Sequence, residues 1–290
     1  MKVCISSPHL YFDGIKSYRK KKTGFAIMVS RIIQSHIIVD NNAFSYIQIG
    51  WNRSSKTELH IEKQNIFHIL FNIKFAYIKL FFLYYKQQKR KLSINVFRVL
   101  YWSLSGGYFE KILRKRKPDV VNIQSILSST IPLVLACIRA HAPFIFTIHA
   151  SNSDTSIESA NTIYSFIWEK YIYFLGNNDI PVITVSSGIK RQIQENMSKN
   201  KFIKKEKNII VIPNAINISY DQKSYDIREK FAIPKSKKII LYIGSICERK
   251  NQDFFLDILD EIDENILNNY CIMFLGNNTE KDTFINRIKN

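Results

Sequence analysis

The sequence has few cysteines, and their spacing excludes two classes of protein. Cys4, Cys137, Cys247 and Cys271 lie far apart, with no CxxC pair and no histidine-rich stretch among them. A disulfide-stabilised secreted domain needs a denser framework of cysteines, and a structural zinc site needs closely spaced ligands. We therefore expect buried thiols in a reducing compartment and no metal.

Long apolar runs are also missing. No stretch of about 18 uncharged apolar residues occurs, and a membrane-spanning helix needs a run of that length. The segment from Met1 to Pro8 has too few apolar residues for a secretory signal and is better interpreted as a first β-strand. These two features predict a cytoplasmic location.

Acidic residues are scarce relative to basic ones. The chain has 24 Asp and Glu against 42 Lys and Arg, and its net charge is +18. Such a surplus indicates an anionic partner, which could be nucleic acid, anionic lipid or a phosphorylated substrate. The basic residues are spread along the chain, without a recognisable helix-turn-helix, zinc or RNP-like motif, so we expect no nucleic acid partner.

What the chain does contain is a regular alternation of strand and helix patterns. This alternation predicts an α/β fold with a mostly parallel sheet covered on both faces. A first domain is expected at 1–213, a polar linker at 214–237 and a second, incomplete domain at 238–290. Strands are predicted at 2–6, 36–39, 44–49, 120–123, 144–148, 181–185, 209–212, 239–243 and 271–275. Helices are predicted at 25–34, 65–90, 96–117, 129–140, 156–175, 188–196, 225–231, 252–262 and 280–288.

Residues 65–90 are unusually rich in large apolar side chains, and only a narrow polar stripe interrupts them. One interpretation is a single interfacial helix whose apolar face enters a bilayer surface, with basic flanks attracted to anionic lipid. The other is an ordinary helix packed in a core. The net charge favours the membrane interpretation, and both remain open from the sequence.

Polar residues follow three successive predicted strands. His149, Ser186 and Asn214 each come directly after or close to a strand end. Ligands of parallel sheets bind beyond the carboxyl ends of the strands, so these residues are candidates for a binding site. Near the N-terminus, Gly24 precedes a helical pattern and would let the backbone approach a ligand closely.

A second candidate site lies in the turn between the strand at 239–243 and the helix at 252–262. Gly244 and Ser245 end the strand, and Arg249 and Lys250 lie just before the helix. The first-turn N–H groups of a helix together with a pair of cations would suit a diphosphate. The alternative is that Arg249 and Lys250 are solvated loop cations.

The order of several short motifs resembles glycosyltransferase family 4, whose members have the GT-B architecture of two facing Rossmann-like domains. The motifs are Lys117-Pro118-Asp119-Val120-Val121, Thr147-Ile148-His149, Val185-Ser186, Val211-Ile212-Pro213-Asn214, Tyr242-Ile243-Gly244 with Lys250, and Phe274-Leu275-Gly276. The resemblance implies that the first domain binds the acceptor and the second a nucleotide-activated sugar. It also implies retention of configuration, with no metal or separate cofactor, because basic side chains neutralise the leaving diphosphate.

The same resemblance assigns roles to individual residues. Lys250 would contact the diphosphate, His149 would contact or orient the transferred sugar, and Gly24 or Gly14 would line the loop near it. Ser245 stands where the family often has arginine, and Arg249 is a possible substitute for that missing cation. Family members carry a Glu-x7-Glu motif that the sequence does not show.

The resemblance implies a hexosyltransferase-type enzyme that uses a nucleotide sugar and a lipid-linked saccharide in capsule or lipopolysaccharide O-chain synthesis. Such an acceptor lies at the inner face of the cell membrane, where the protein would be peripheral on an anionic surface. The alternative is a shortened, inactive remnant or fragment that binds membrane or acceptor without catalysis.

Overall fold

A computed structural model describes residues 1–7, 10, 24–39, 44–48, 61–63, 66–88, 96–126, 130–150, 171, 173–199, 209–215, 226–246, 250–276 and 282–289. Predictions for Gly14 and Arg249, and for most of the helix at 156–175, lie outside these residues. The chain divides into two units, Met1–Ile216 and Asn217–Asn290.

The first unit is built on a sheet of seven parallel strands, which confirms the α/β fold predicted from the alternation. The strands are β1 (Val3–Ser7), β2 (Phe44–Gln48), β3 (Ile61–Lys63), β4 (Val120–Gln124), β5 (Phe144–Ile148), β6 (Val182–Thr184) and β7 (Ile209–Val211). Their order is β3-β2-β1-β4-β5-β6-β7. The strand order reverses direction between β1 and β4, where parallel sheets of this kind have their binding crevice.

Six helices of the first unit have defined bounds. They are α1 (Gly24–Val39), α2 (Ile66–Leu70), α3 (Phe75–Gln88), α4 (Val96–Arg116), α5 (Ile131–Ala140) and α6 (Ser187–Ser198). The strand predicted at 36–39 is wrong, because α1 continues through these residues, three of them β-branched, to Val39. The three-residue strand β3, which pairs with β2, was not predicted.

Successive side chains along each strand point to opposite faces of the sheet and contribute to two hydrophobic cores, one on each face. Ile5 and Tyr46 pack with Val29 and Ile33 of α1 on one face of the sheet. A larger cluster on the other face includes Cys4 of β1. Its main members are Ile47, Val121, Ile123, Leu133, Phe109, Phe146, Ile148, Val182, Ile193 and Ile209. The expected burial of thiols is observed for Cys4 and Cys137, and burial raises the pKa of the Cys137 thiol. Cys271 is only partly buried, and Cys247 lies outside the described residues.

The single helix predicted at 65–90 is wrong. Residues 71–74 form a turn between α2 and α3, in which the Asn72 side-chain amide donates to the His68 carbonyl at 2.6 Å. The exposed side of the two helices carries seven large apolar residues, which we call the apolar face. Its members are Phe67, Leu70, Phe71, Ile73, Phe75, Phe82 and Leu83.

The opposite side of α2 and α3 packs closely on α4. A Cβ added to Gly107 would lie 1.8 Å from the Asn72 carbonyl oxygen, and one added to Gly106 would lie 2.0 Å from the Tyr77 ring. Two consecutive glycines therefore allow the turn to approach the α4 backbone. His68 also stacks on Tyr108 of α4, with ring centroids 4.7 Å apart.

A buried carboxylate joins three helices beside this contact. Glu110 of α4 is 1% exposed and accepts from Lys74 at 2.8 Å, from Arg114 at 3.0 Å, and from Arg139 and Tyr77, each at 3.1 Å. Burial alone would raise the pKa of this carboxyl, but the bonds from these four side chains lower it to about 2. Glu110 is therefore ionised at neutral pH and ties the turn at Lys74 to α4 and α5.

In the second unit the described residues form a two-stranded parallel sheet, β8 (Lys238–Ile243) with β9 (Tyr270–Leu275). The helices are α7 (Ile227–Lys230), α8 (Gln252–Asp260), α9 (Glu264–Leu267) and α10 (Asp282–Lys289). Phe274 of β9 packs edge-on against Phe284 of α10, 5.1 Å between centroids, and stacks on Tyr242 of β8. Arg287 of α10 binds Asp257 and Asp260 of α8.

Candidate functional site

The carboxyl ends of the strands in the first unit lie along one edge, because all seven strands are parallel. His149 follows β5, Ser186 lies just beyond β6, and Asn214 lies beyond β7. These three strands are neighbours in the sheet, so the structure brings the three predicted residues to the same edge. Their roles in binding stay predictions.

His149 is hydrogen-bonded to a residue at the end of the neighbouring strand β4. Its Nε2 lies 2.7 Å from Oε1 of Gln124, the last residue of β4. A carboxamide oxygen only accepts hydrogen bonds, so Nε2 carries the proton. Burial lowers the pKa of His149 to about 4, and the imidazole is therefore neutral at pH 7. A neutral imidazole can orient a sugar hydroxyl by hydrogen bonding but cannot neutralise a phosphate.

Two residues near the end of β4 have unusual features, one just after β4 and the other on the neighbouring strand β1. Ser125 has a φ of 79°, a left-handed conformation that residues with a Cβ adopt only at a cost, and such strain clusters at functional sites. On the neighbouring strand β1, Ser6 is fully buried, and its hydroxyl has no hydrogen-bond partner within the part of the chain that the structure describes. These residues flank the point where the strand order reverses.

Sequence reasoning missed Gln124 and Ser125. The available signal was a polar pair directly after the apolar strand at 120–123. Its importance depends on the strand order, which places β4 between β1 and β5 and thereby sets Gln124 beside His149. Glu110 was missed as well, although Arg114 follows it at the i+4 spacing of a helical ion pair.

Ser186 has a structural role at the same edge. Its hydroxyl oxygen accepts from the Ile189 N–H at 3.3 Å and so caps α6. Asn214 is exposed beyond β7. Gly24, the candidate near the N-terminus, is the first residue of α1.

In the second unit, two predicted glycines meet at the carboxyl end of the sheet. Gly244 follows β8 and Gly276 follows β9, and a Cβ added to Gly276 would lie 1.7 Å from the Gly244 carbonyl oxygen. The Gly244 N–H donates to the Leu275 carbonyl at 2.9 Å, and Gly244 has a φ of 156°. Contact of one backbone with the other requires glycine at 276, and the φ favours glycine at 244.

Lys250 lies over this turn. Its Cε and Cδ are 3.8 and 3.9 Å from the position that a Gly244 Cβ would occupy. The Tyr242 hydroxyl donates to the Lys250 carbonyl oxygen, and the Gln252 side-chain amide donates to the Ser245 carbonyl at 2.9 Å. The structure therefore brings Gly244, Ser245, Lys250 and Gly276 together.

The N-terminus of α8 begins directly after Lys250. Asn251 precedes the helix with a φ of 57°, and its side chain makes no capping bond to the first turn. Peptide N–H groups at a helix start, with a flexible ammonium beside them, can bind a phosphate group. Among the described residues, no group of three His, Cys, Asp or Glu is placed to hold a metal ion.

A family model covers much of the first unit. Residues 84–220 match the model described as Glycosyltransferase Family 4. The match covers just under half of the chain. The matched residues include Gln124, His149, Ser186 and Asn214, so the whole strand-end edge from β4 to β7 lies within the family 4 region. No curated protein sequence matches the chain significantly.

Solved structures similar to this chain show its fold. The E. coli trehalose-6-phosphate structure bound with UDP-2-fluoro glucose has a TM-score of 0.58 at 10% identity, covering 100% of this chain and 69% of that one. Sucrose-phosphate synthase from Thermosynechococcus elongatus has a TM-score of 0.59 at 11% identity, with coverages of 99% and 65%. WaaG, a glycosyltransferase involved in lipopolysaccharide biosynthesis, has a TM-score of 0.55 at 12% identity, with coverages of 99% and 66%.

These likenesses confirm that the chain has a GT-B-like α/β fold. The chain spans about two thirds of the length of these solved structures. None of the helices in the described residues is long and apolar enough to cross a membrane.

Proposed function

We propose that the chain is a hexosyltransferase-type glycosyltransferase that moves a sugar from a nucleotide-diphosphate sugar to a lipid-linked saccharide. The observation that carries this proposal is the position of the Lys250 side chain. Its aliphatic part lies over the turn where Gly244 contacts Gly276, and Lys250 directly precedes the N-terminus of α8. In a chain with a family 4 region, that arrangement fits the diphosphate of a donor. One solved structure of similar fold is bound with UDP-2-fluoro glucose, which is in line with such a donor.

On this proposal the second unit holds the donor. The Lys250 ammonium, with Arg249 as a second cation, neutralises the diphosphate as the bond between the sugar C1 and the phosphate oxygen breaks. Gly244, Ser245 and Gly276 let the backbone approach the phosphates. No metal or separate cofactor is then needed, because these groups supply the positive charge.

The first unit would hold the acceptor and help to orient the transferred sugar. His149, held by Gln124, is neutral and can hydrogen-bond a sugar hydroxyl. Gly24, at the start of α1, or Gly14 would let the backbone approach the transferred sugar. A new bond forms from C1 to the acceptor oxygen, and the proton of that hydroxyl passes to the released diphosphate. Ser186 and Asn214 lie farther along the same edge, beyond β6 and β7, and would contribute to substrate binding there. The configuration at C1 is retained.

The proposed pathway is surface polysaccharide assembly, such as capsule or lipopolysaccharide O-chain synthesis. A lipid-linked acceptor would bring the protein to the inner face of the cell membrane as a peripheral cytoplasmic protein. The net charge of +18 suits an anionic surface of that kind. The likeness in fold to a glycosyltransferase of lipopolysaccharide biosynthesis is consistent with this pathway.

Transfer of radiolabelled sugar from a panel of sugar nucleotides to lipid-linked saccharides tests the proposal. We expect transfer with one donor, a product with the donor's anomeric configuration, and loss of transfer in Lys250→Ala. The matched control is Lys235→Ala, an exposed lysine of the same unit. Absence of transfer with every donor, while the chain still binds acceptor or membrane, would support the alternative of an inactive remnant.

A further inference from the structure

We propose that the apolar face of α2 and α3 enters the surface of a bilayer containing anionic lipid, and that the cations around Glu110 bind lipid phosphate groups at its margin. This rests on the proposed function, because a lipid-linked acceptor would bring the protein to such a bilayer. It assigns the contact to a turn and two short helices held rigidly on α4, in place of the single long helix expected from the sequence.

The composition of the apolar face is the first observation. Eight residues between 67 and 83 are exposed, and Lys79 is the only one of them that is not apolar. Phe71 is 85% exposed and Phe75 is 80% exposed. A helix on the surface of a protein normally turns polar residues to water, and a contiguous exposed apolar patch marks a binding surface.

The rigid support of this face is the second observation. Ile69 and Tyr77 are buried on the underside, and the turn is held against the α4 backbone at Gly107. The Lys74 ammonium is bound to Glu110 at 2.8 Å, directly between exposed Ile73 and Phe75 in the sequence. The packed underside and the buried ion pair prevent α2 and α3 from rotating to bury the exposed rings.

The positive charge beside the apolar face is the third observation, and it favours a bilayer as the binding partner of this face. Lys74, Arg114 and Arg139 bring three positive charges to the single negative charge of Glu110. The two arginine side chains remain 51% and 42% exposed. The surplus of two positive charges can be compensated by lipid phosphates, while aromatic rings suit the boundary between headgroups and acyl chains.

Flotation of the full chain with lipid vesicles tests this proposal. The probes are vesicles of phosphatidylcholine alone and of phosphatidylcholine with phosphatidylglycerol, without sugar nucleotide or acceptor. We expect the chain to float with the anionic vesicles and to bind the neutral ones more weakly. The double variant F71S/F75S should lower the partition coefficient by at least about tenfold, because two rings no longer leave water on binding.

Phe254→Ser is the matched control, since Phe254 is an exposed phenylalanine in the second unit. It should bind vesicles like the wild type. Phe71 and Phe75 are exposed, so F71S/F75S should keep the wild-type unfolding temperature. The variant Phe75→Trp adds a fluorescent probe to the three native tryptophans, and brominated lipids should quench its emission more than that of the wild type if the ring enters the bilayer.

Three results would overturn the proposal. The wild type could fail to bind anionic vesicles, F71S/F75S could bind as well as the wild type, or the Phe75→Trp probe could stay unquenched on bound vesicles. A change of oligomeric state in F71S/F75S, without loss of vesicle binding, would assign the face to a second copy of the chain. Because sugar transfer is not measured, these outcomes are separate from failure of the proposed function.

Discussion

Glu110→Gln tests the energetic role of the buried carboxylate, because glutamine has nearly the same shape and no charge. The unfolded carboxyl has a pKa of 4.5, and the four donors around Glu110 lower it to about 2 in the fold. The difference between these two pKa values corresponds to about 3 kcal/mol of stability at neutral pH. Glu110 itself is 1% exposed, so little of this is screened by water.

The expected loss of stability lies at or just below the lower limit for breaking a buried ion pair. Removing one partner of such a pair costs about 3–5 kcal/mol when the other charge is stranded. The side chains of Lys74, Arg114 and Arg139 are 37%, 51% and 42% exposed, so water can solvate them once the carboxylate is gone. We therefore expect Glu110→Gln to lower the free energy of unfolding of the first unit by about 2–3 kcal/mol.

Urea unfolding followed by tryptophan fluorescence measures this difference, because Trp51, Trp102 and Trp168 all belong to the first unit. The pKa of Glu110 is lowered in the fold, so its contribution is complete above pH 4.5 and is lost as the pH falls towards 2. The gap between wild type and variant should narrow over that range. A gap below about 1 kcal/mol at pH 7, or one that does not change with pH, would refute the reasoning. Glu195→Gln, at an exposed position of α6, should have little effect.

Three further predictions follow from the packing and the strand-end edge. Gly107→Ala should lower the stability of the first unit by about 1–3 kcal/mol in urea unfolding, because the new Cβ would meet the Asn72 carbonyl at 1.8 Å. Its matched control Gly188→Ala has only a contact at 3.8 Å and should be neutral or stabilising, so equal losses in both variants would contradict the prediction. Burial lowers the pKa of His149 to about 4, so the fold should lose about 3 kcal/mol as the pH falls from 6.5 to 4, and His149→Gln should remove this slope in pH-dependent unfolding. Gln124→Leu should lower the pKa of His149 further, measured by NMR titration, because an apolar side chain replaces the amide oxygen that accepts from Nε2, and it should lower sugar transfer about tenfold or more; an unchanged pKa and rate would show that Gln124 does not hold the ring.

The strands near the middle of the first sheet could be predicted because each is a short apolar run between clear helical segments. β4 and β5 were found in this way, and their carboxyl ends marked His149 as a candidate. The same reasoning failed at residues 36–39, where β-branched residues favour a strand locally but continue α1. Packing of α1 on the sheet overrides that local preference.

Other features depend on contacts between residues distant in sequence. The break between α2 and α3 is stabilised where Asn72 meets Gly107, which no periodicity in 65–90 reveals. The partners of Glu110 come from three helices, and Gln124 meets His149 only because β4 and β5 are neighbours. By contrast, the turn at Gly244 and Lys250 is local, and its glycine, lysine and helix start could be recognised from the sequence.

The glycine pair in α4 has a consequence for how this region can vary between related proteins. Where helices pack through interdigitating side chains, a neighbouring side chain can change its rotamer to accommodate a substitution. The distance between two such helices can therefore change in small steps. At Gly107 the spacing is set by the Asn72 carbonyl oxygen against the glycine backbone, and no side-chain rotamer is available to adjust this contact. The turn at 71–74 can therefore keep its position against α4 or lose it, with few intermediate separations between them.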